Sequence, residues 1–276
     1  MARGAYKVNG ADFEQIELSE EGNVATVRLN RPDRYNALGS RITDELDRAL
    51  ERVEGSEQAR AVILTGAGEK AFCSGVDLKE RAEMTAEERW AHNRALNAFS
   101  ERLARLQMPT VAALNGLAFG GGLEMTLACD FRIAAEGAEF SLPEVGIGIV
   151  PGAGGTQRLP RLIGPTKAKE LILTGRRVSA DDALEMGLVS KVVPLGSLME
   201  EARSLTEEIV ANSPLAVAYA KAAVDLASET TIEQGLRYET AAIRATLSSE
   251  DYKIGLAAFA DRREPEFPPL TARRVT

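Results

Sequence analysis

Short apolar runs rich in β-branched residues alternate with stretches of helical period through the first two thirds of the chain. A chain patterned this way must bury strand faces against helices, which confines it to an α/β fold. The strand-like runs are FEQIEL (13–18), NVATVRL (23–29), RAVILT (60–65), TVAAL (110–114) and FRIAA (131–135). Glu21-Gly22-Asn23, between the first two, reads as a hairpin turn. SRITDELDRALERVE (40–54) predicts an amphipathic helix, with Ile42, Leu46, Ala49, Leu50 and Val53 on one face. Ser40 is its expected cap, and Asp44 and Glu45 fall in its first turn. A charged helix is expected over 86–107 and a short buried one over LEMTLACD (123–130). Beyond about residue 195 helical periods dominate, broken at Asn212-Ser213-Pro214 and Ser228-Glu229-Thr230. The expected organisation is therefore two regions, 1–195 and 196–276.

Composition removes several function classes. The 276 residues carry 33 Lys+Arg against 41 Asp+Glu, a net charge of −8 that argues against broad nucleic-acid binding. One histidine, His92, rules out a site with two His ligands. Cys73 and Cys129 have no CxxC partner, so neither a zinc ribbon nor a disulfide framework is indicated and a reducing compartment is expected. The longest uncharged run, Leu106 to Leu123, contains a proline and four glycines and is unsuited to a membrane-spanning helix. The first fifteen residues lack the apolar core of a secretion signal, and the resulting expectation is a cytoplasmic protein.

The chemistry concentrates between Pro109 and Gly155. Gly66-Ala67-Gly68-Glu69-Lys70-Ala71 matches GxGxxA but leads into Phe72-Cys73-Ser74-Gly75, a poor helix start, so it reads as a strand-end turn and not a dinucleotide fingerprint. Cys73 has no base nearby, and both it and His92 read as structural. Glu124 is different: it is a lone carboxylate among Leu123, Met125, Thr126 and Leu127. Such a group is either paired with a distant cation or has a raised pKa suited to proton transfer. Glu144 is a second carboxylate in an apolar run, and its duller reading is an exposed turn residue after Pro143. Gly120-Gly121-Gly122 allows close backbone approach, and with Ser74-Gly75-Val76 it could offer two N–H groups to a developing oxyanion. Two carboxylates and an oxyanion pocket do not by themselves name a substrate.

Five segments carry a resemblance that does. AFCSGVDLKE (71–80), NGLAFGGGLEMTLACD (115–130), SLPEVGIGIVPGAGGTQRLPRLIG (141–164), TGRRVSADDALEMGLV (174–189) and RPDRYNAL (31–38) strongly resemble the enoyl-CoA hydratase (crotonase) family, in order over roughly residues 13 to 262. GVDLKERAEM, GGGLE and LACD look closest to its methylglutaconyl-CoA hydratase branch. The resemblance implies the crotonase fold, with repeated ββα units wound into a superhelix and a helical C-terminal region that builds a homotrimer or a dimer of trimers. It implies a CoA-binding and catalytic core over 1–195. Carried over by motif, Val76 and Gly121 supply the oxyanion N–H groups, Glu124 is the water-activating base, Glu144 is the proton donor to Cα, and Gly152 helps hold the water. Ala37, Ser74, Asp77, Leu78 and Lys79 match the CoA-lining segments, and Arg28, Arg31 and Arg34 join Lys79 as candidates for a basic rim. Acyl selectivity is expected from 81–99 and the C-terminal helices. The partner is an acyl-CoA substrate, with coenzyme A part of that substrate and no metal or redox cofactor expected. A Δ3,Δ2-enoyl-CoA isomerase, which needs only one base, is the alternative within the fold. The branch also includes a member associated with RNA through a lysine-rich first helix. Here that helix has no lysine and three Arg against five acids, which opposes the RNA reading.

Overall fold

A computed structural model describes residues 12–270 and the backbone of 6–7; most of the segment read for a leader lies outside these. The chain opens with β1 (Tyr6–Lys7), β2 (Ile16–Glu21) and β3 (Val24–Leu29), followed by α1 (Ser40–Glu54). Three ββα units then succeed one another. The first is β4 (Ala61–Gly66), β5 (Ala71–Cys73), α2 (Leu78–Glu83) and α3 (Ala86–Ala104). The second is β6 (Thr110–Leu114), β7 (Leu117–Phe119) and α4 (Gly121–Leu127). The third is β8 (Phe131–Ala135), β9 (Glu139–Ser141), α5 (Gly155–Ile163) and α6 (Pro165–Thr174). Next come β10 (Val178–Ser179), α7 (Ala180–Glu185) and β11 (Lys191–Val193), and the chain finishes on α8 (Leu198–Val210), α9 (Pro214–Ala227), α10 (Ile232–Leu247) and α11 (Glu250–Asp261). The repeated ββα pattern is the one expected.

In each unit the first strand joins a large sheet and the second a small one. The described large sheet runs β1-β2-β3-β4-β6-β8-β11, antiparallel through β3 and parallel beyond it. The small sheet runs β10-β9-β7-β5, with β5, β7 and β9 parallel. Parallel neighbours require a crossover, and the helices supply it. β4 and β6 are buried throughout because both faces are covered. Their side chains alternate between two cores. Val62, Leu64, Ala112 and Leu114 pack into the main core, whereas Ile63, Val111, Ala113, Ile133 and Ala135 face Leu198 and Ala202 of α8.

Some local expectations shifted. β2, expected to start at Phe13, begins at Ile16, because the N–H groups of Glu14 and Gln15 donate to the buried Glu45 carboxylate on α1. That carboxylate takes donors which a partner strand would otherwise have used. Ser40 does not cap α1; Gly39 is the N-cap, and the Ser40 N–H donates to Glu80 Oε1 at 2.8 Å. The Gly66–Ala71 run is a turn entering β5, and its carbonyl groups are clamped by Asn36 and Asn115, whose amides both donate to Ala71 O at 2.9 and 3.0 Å.

Candidate active site

The small sheet aligns three loops at one edge. β5 delivers Ser74-Gly75-Val76, β7 delivers Gly120-Gly121, and β9 delivers Pro143-Glu144. Gly75 has φ +90°, and a Cβ there would lie 2.7 Å from Phe119 O and 3.5 Å from the Gly121 nitrogen, so the two loops touch at that point only because it is glycine. Val76 forms a parallel bridge with Leu38 in which Leu38 bonds to Gly75 O (2.8 Å) and the Asp77 N–H (2.9 Å). This pattern leaves the Val76 N–H directed away from Leu38. Neither that N–H nor that of Gly121 meets an acceptor among the described residues. A Cβ on Gly121 would lie 3.8 Å from Val76 Cγ2, so the residues of the two expected oxyanion donors are neighbours.

Both glutamates face this frame. Glu124 is 3% exposed on α4, and its Oε1 accepts the N–H groups of Ala153 and Gly155, each at 2.8 Å. Burial raises its pKa, opposed by the N–H groups of Gly155, Ala153 and Gly152 and by the Arg158 charge. Glu144 is 9% exposed at the start of a 3-10 turn (Glu144–Ile147). A Cβ on Gly120 would lie 3.0 Å from its Oε1, and its Oε2 is buried without a hydrogen-bond partner. Burial pushes the Glu144 carboxyl up to about 7, with a smaller push from the negative Glu124. The pair therefore consists of one carboxylate steadied by backbone donors and one held near neutrality with a free oxygen. The duller readings, a salt bridge for Glu124 and an exposed turn for Glu144, do not describe this geometry.

Gly152 sits where the loop after Val150 turns back towards Glu124, and its carbonyl accepts the side-chain amides of Asn93 (3.3 Å) and Asn97 (3.0 Å) from α3. Ala153 O accepts from Arg158 at 3.0 Å. None of these three side chains was a sequence candidate. The available signal was a pair of asparagines one turn apart inside a helix, where asparagine is a poor former.

The expected CoA-lining residues gather at the start of α2. Ser74 donates its N–H to Tyr35 O at 2.9 Å, Ala37 is buried, and Leu78 is exposed. Asp77 caps α2 by accepting the Lys79 and Glu80 N–H groups, and its pKa is lowered by those bonds and by Arg31 at 3.2 Å, against the opposing effect of burial. Arg31 is thereby neutralised, Arg28 pairs with Glu17, and Arg34 pairs with Asp33. Lys79 has no ion pair among the described residues, which leaves it the most available rim cation. Burial pushes the thiols of Cys73 and Cys129 up to about 12, so neither is a thiolate nucleophile. Burial also lowers the pKa of His92, whose Nε2 lies 3.2 Å from Thr43 Oγ1. Among the described residues no cluster of three or more His, Cys, Asp or Glu is placed to hold a metal, and no helix is long and apolar enough to cross a membrane.

Residues 19–269 match the enoyl-CoA hydratase/isomerase family. The chain belongs to that family. It is 43% identical over 255 residues to the short-chain-enoyl-CoA hydratase of Clostridium acetobutylicum, covering 92% of this chain and 98% of that one. It is 41% identical over 262 residues to a mitochondrial enoyl-CoA hydratase of Pongo abelii, covering 94% and 89%. The crystal structure of an enoyl-CoA hydratase from Bacillus anthracis superposes with a TM-score of 0.90 at 44% identity, covering 92% of this chain and 99% of that one. The expected family and its α/β crotonase fold are thus the ones found.

Proposed function

We propose that this protein is a 2-enoyl-CoA hydratase that adds water reversibly across the 2,3 double bond of a short-chain enoyl thioester. The observation that carries this reading is the pairing of Glu124 and Glu144, held in different protonation environments beside the Val76 and Gly121 N–H groups. Attack of water on Cβ moves charge onto the thioester oxygen, and those two N–H groups would receive it. Losing one such donor costs about 3 kcal/mol in the transition state. Glu124, with its Oε1 fixed by Ala153 and Gly155, keeps an oxygen to orient and deprotonate the water. Glu144, protonated up to about pH 7, supplies the Cα proton. One water shared by both carboxyls would deliver OH and H to the same face.

The substrate partner is an acyl-CoA, with Ala37, Ser74, Asp77, Leu78 and Lys79 around its CoA portion. Asp77 acts through the α2 cap and Arg31 instead of by direct contact. The similarity to a short-chain-enoyl-CoA hydratase supports a short acyl chain. The reaction as written uses no metal or redox cofactor. Exposed apolar side chains on the last three helices, among them Val224, Ile232 and Phe259, support a homotrimer or a dimer of trimers. Free, buried Cys73 and Cys129 fit a reducing, cytoplasmic setting, and a short-chain enoyl-CoA substrate would place the enzyme in fatty acid metabolism. The test is an assay with crotonyl-CoA, 3-methylglutaconyl-CoA and a 3-enoyl-CoA. Loss of the conjugated thioester absorbance with crotonyl-CoA is expected, whereas a double-bond shift in the 3-enoyl substrate without hydration would assign an isomerase instead.

A further inference from the structure

The loop that steadies Glu124 has little to steady itself. Residues 146–150 are exposed, and the carbonyls of the next turn accept the Asn93 and Asn97 amides from α3 and the Arg158 guanidinium from α5. Its amide groups divide cleanly: the N–H groups of Ala153 and Gly155 point to Glu124 Oε1, while the carbonyl of Gly152 points the other way, to Asn93 and Asn97 on α3. The Gly152 carbonyl and the Ala153 N–H belong to one planar peptide group, so fixing one end fixes the other. A carbonyl has two lone pairs, and two asparagine amides fill them here. Hydrogen bonds in such a chain polarise one another, so donors on the carbonyl strengthen the N–H bond on the far side. Gly152 is needed for this approach, because a Cβ there would fall 2.6 Å from Asn93 Oδ1.

We propose that Asn93 and Asn97 are positioning residues for Glu124, acting through the Gly152–Ala153 peptide group to orient the carboxylate that activates water. The proposal rests on Glu124 being the base. It makes α3, which begins beyond the CoA-lining segment, a mechanical support of the catalytic carboxylate. Two mid-helix asparagines are explained by this role, since alanine or leucine would serve the helix better. The other charges near Glu124 are Arg158 on α5 and Glu144 in the turn after β9; Asn97→Gln and Asn93→Ala add no charge to these, whereas Asn97→Asp adds one negative charge.

The test compares wild type with Asn97→Asp, Asn97→Gln and Asn93→Ala/Asn97→Asp in the full chain, using crotonyl-CoA. Aspartate keeps the shape of asparagine but removes its donors and sets a negative oxygen against the Gly152 carbonyl, while glutamine keeps a donor. Asn97→Asp should lower kcat about tenfold, in line with the sensitivity of rate to small misplacements. KM should change less than about twofold. Because Glu124 must be ionised and its N–H donors lower its pKa, weakening them should move the acidic limb of the kcat–pH profile to higher pH. Asn97→Gln should recover much of the rate, the double variant should be worst, and melting temperatures should stay within a few degrees. An active wild type with variants that melt earlier but keep the same acidic limb would overturn the positioning role alone. A wild type that binds crotonyl-CoA without hydrating it would overturn the hydratase reading and the proposal with it.

Discussion

Glu144 links stability to catalysis at the scale of a single residue. Its folded-state pKa of about 7 lies above the ordinary carboxylate value of 4.5, so folding favours the protonated form. The stability it contributes is complete below pH 4.5 and is lost as pH rises towards 7 and through it. Glu144→Gln imitates the protonated form at all pH values. It should therefore abolish turnover, by about 10²-fold or more, while raising the melting temperature relative to wild type at pH 8 more than at pH 4.5. A calorimetric pH series checks this, and an equal effect at both pH values would remove the burial argument. Glu124→Gln should lose a comparable factor in rate, because the water loses its base. Both glutamates were legible in the sequence because each stands alone in an apolar run. Their steadying groups were not: the Ala153 and Gly155 donors are backbone, and Asn93 and Asn97 act at a distance of some sixty residues along the chain.

At the scale of elements, the site belongs to the smaller sheet. β5, β7 and β9 are three residues each, too short to show any period, and none was readable as a strand. The longer strands β4, β6 and β8 and the helix α1 were readable, since three or four consecutive apolar residues, or a repeated helical face, leave a pattern. The sequence thus disclosed the scaffold more fully than the strands that carry the chemistry, and only the glycines after β5 and β7 and Pro143 after β9 marked where those strands end. Gly75 shows why glycine is needed. Alanine there would have to adopt φ +90° with its Cβ 2.7 Å from Phe119 O. Gly75→Ala should push the Val76 loop away from Gly121, lower kcat on crotonyl-CoA about 10²-fold, and leave a folded protein of reduced melting temperature. A variant with full activity would show that the two loops do not form a donor pair.

For the molecule as a whole, the question is how the C-terminal helices are fixed to the catalytic core and what covers them. α9 is fastened by Lys221, whose ammonium pairs with Asp130 immediately after the Glu124 helix; the two side chains are only 10% and 16% exposed. Asp130 also accepts the Thr110 N–H at 2.7 Å and its hydroxyl at 2.9 Å, so the pair ties α9 to the start of β6. Lys221→Ala would leave Asp130 without its cation, and about 3 kcal/mol of stability should be lost by denaturant titration. Further out, Ile232 is 81% exposed and Phe259 is 86% exposed, and the proposed trimer would cover them. Ile232→Asp combined with Phe259→Asp should shift sedimentation from trimer or hexamer towards monomer. Unchanged sedimentation would place the interface elsewhere. This level was the least legible from sequence, because an amphipathic helix facing its own core and one facing another subunit share the same period.

The most direct measurement is turnover of crotonyl-CoA by the wild type, Glu124→Gln and Glu144→Gln proteins side by side, with the product identified by mass. Catalysis by two glutamates requires the wild type to add one water to the substrate and each variant to bind crotonyl-CoA with its turnover all but lost. Hydration at the wild-type rate by either variant, or a wild type that binds crotonyl-CoA and leaves it unchanged, would contradict it.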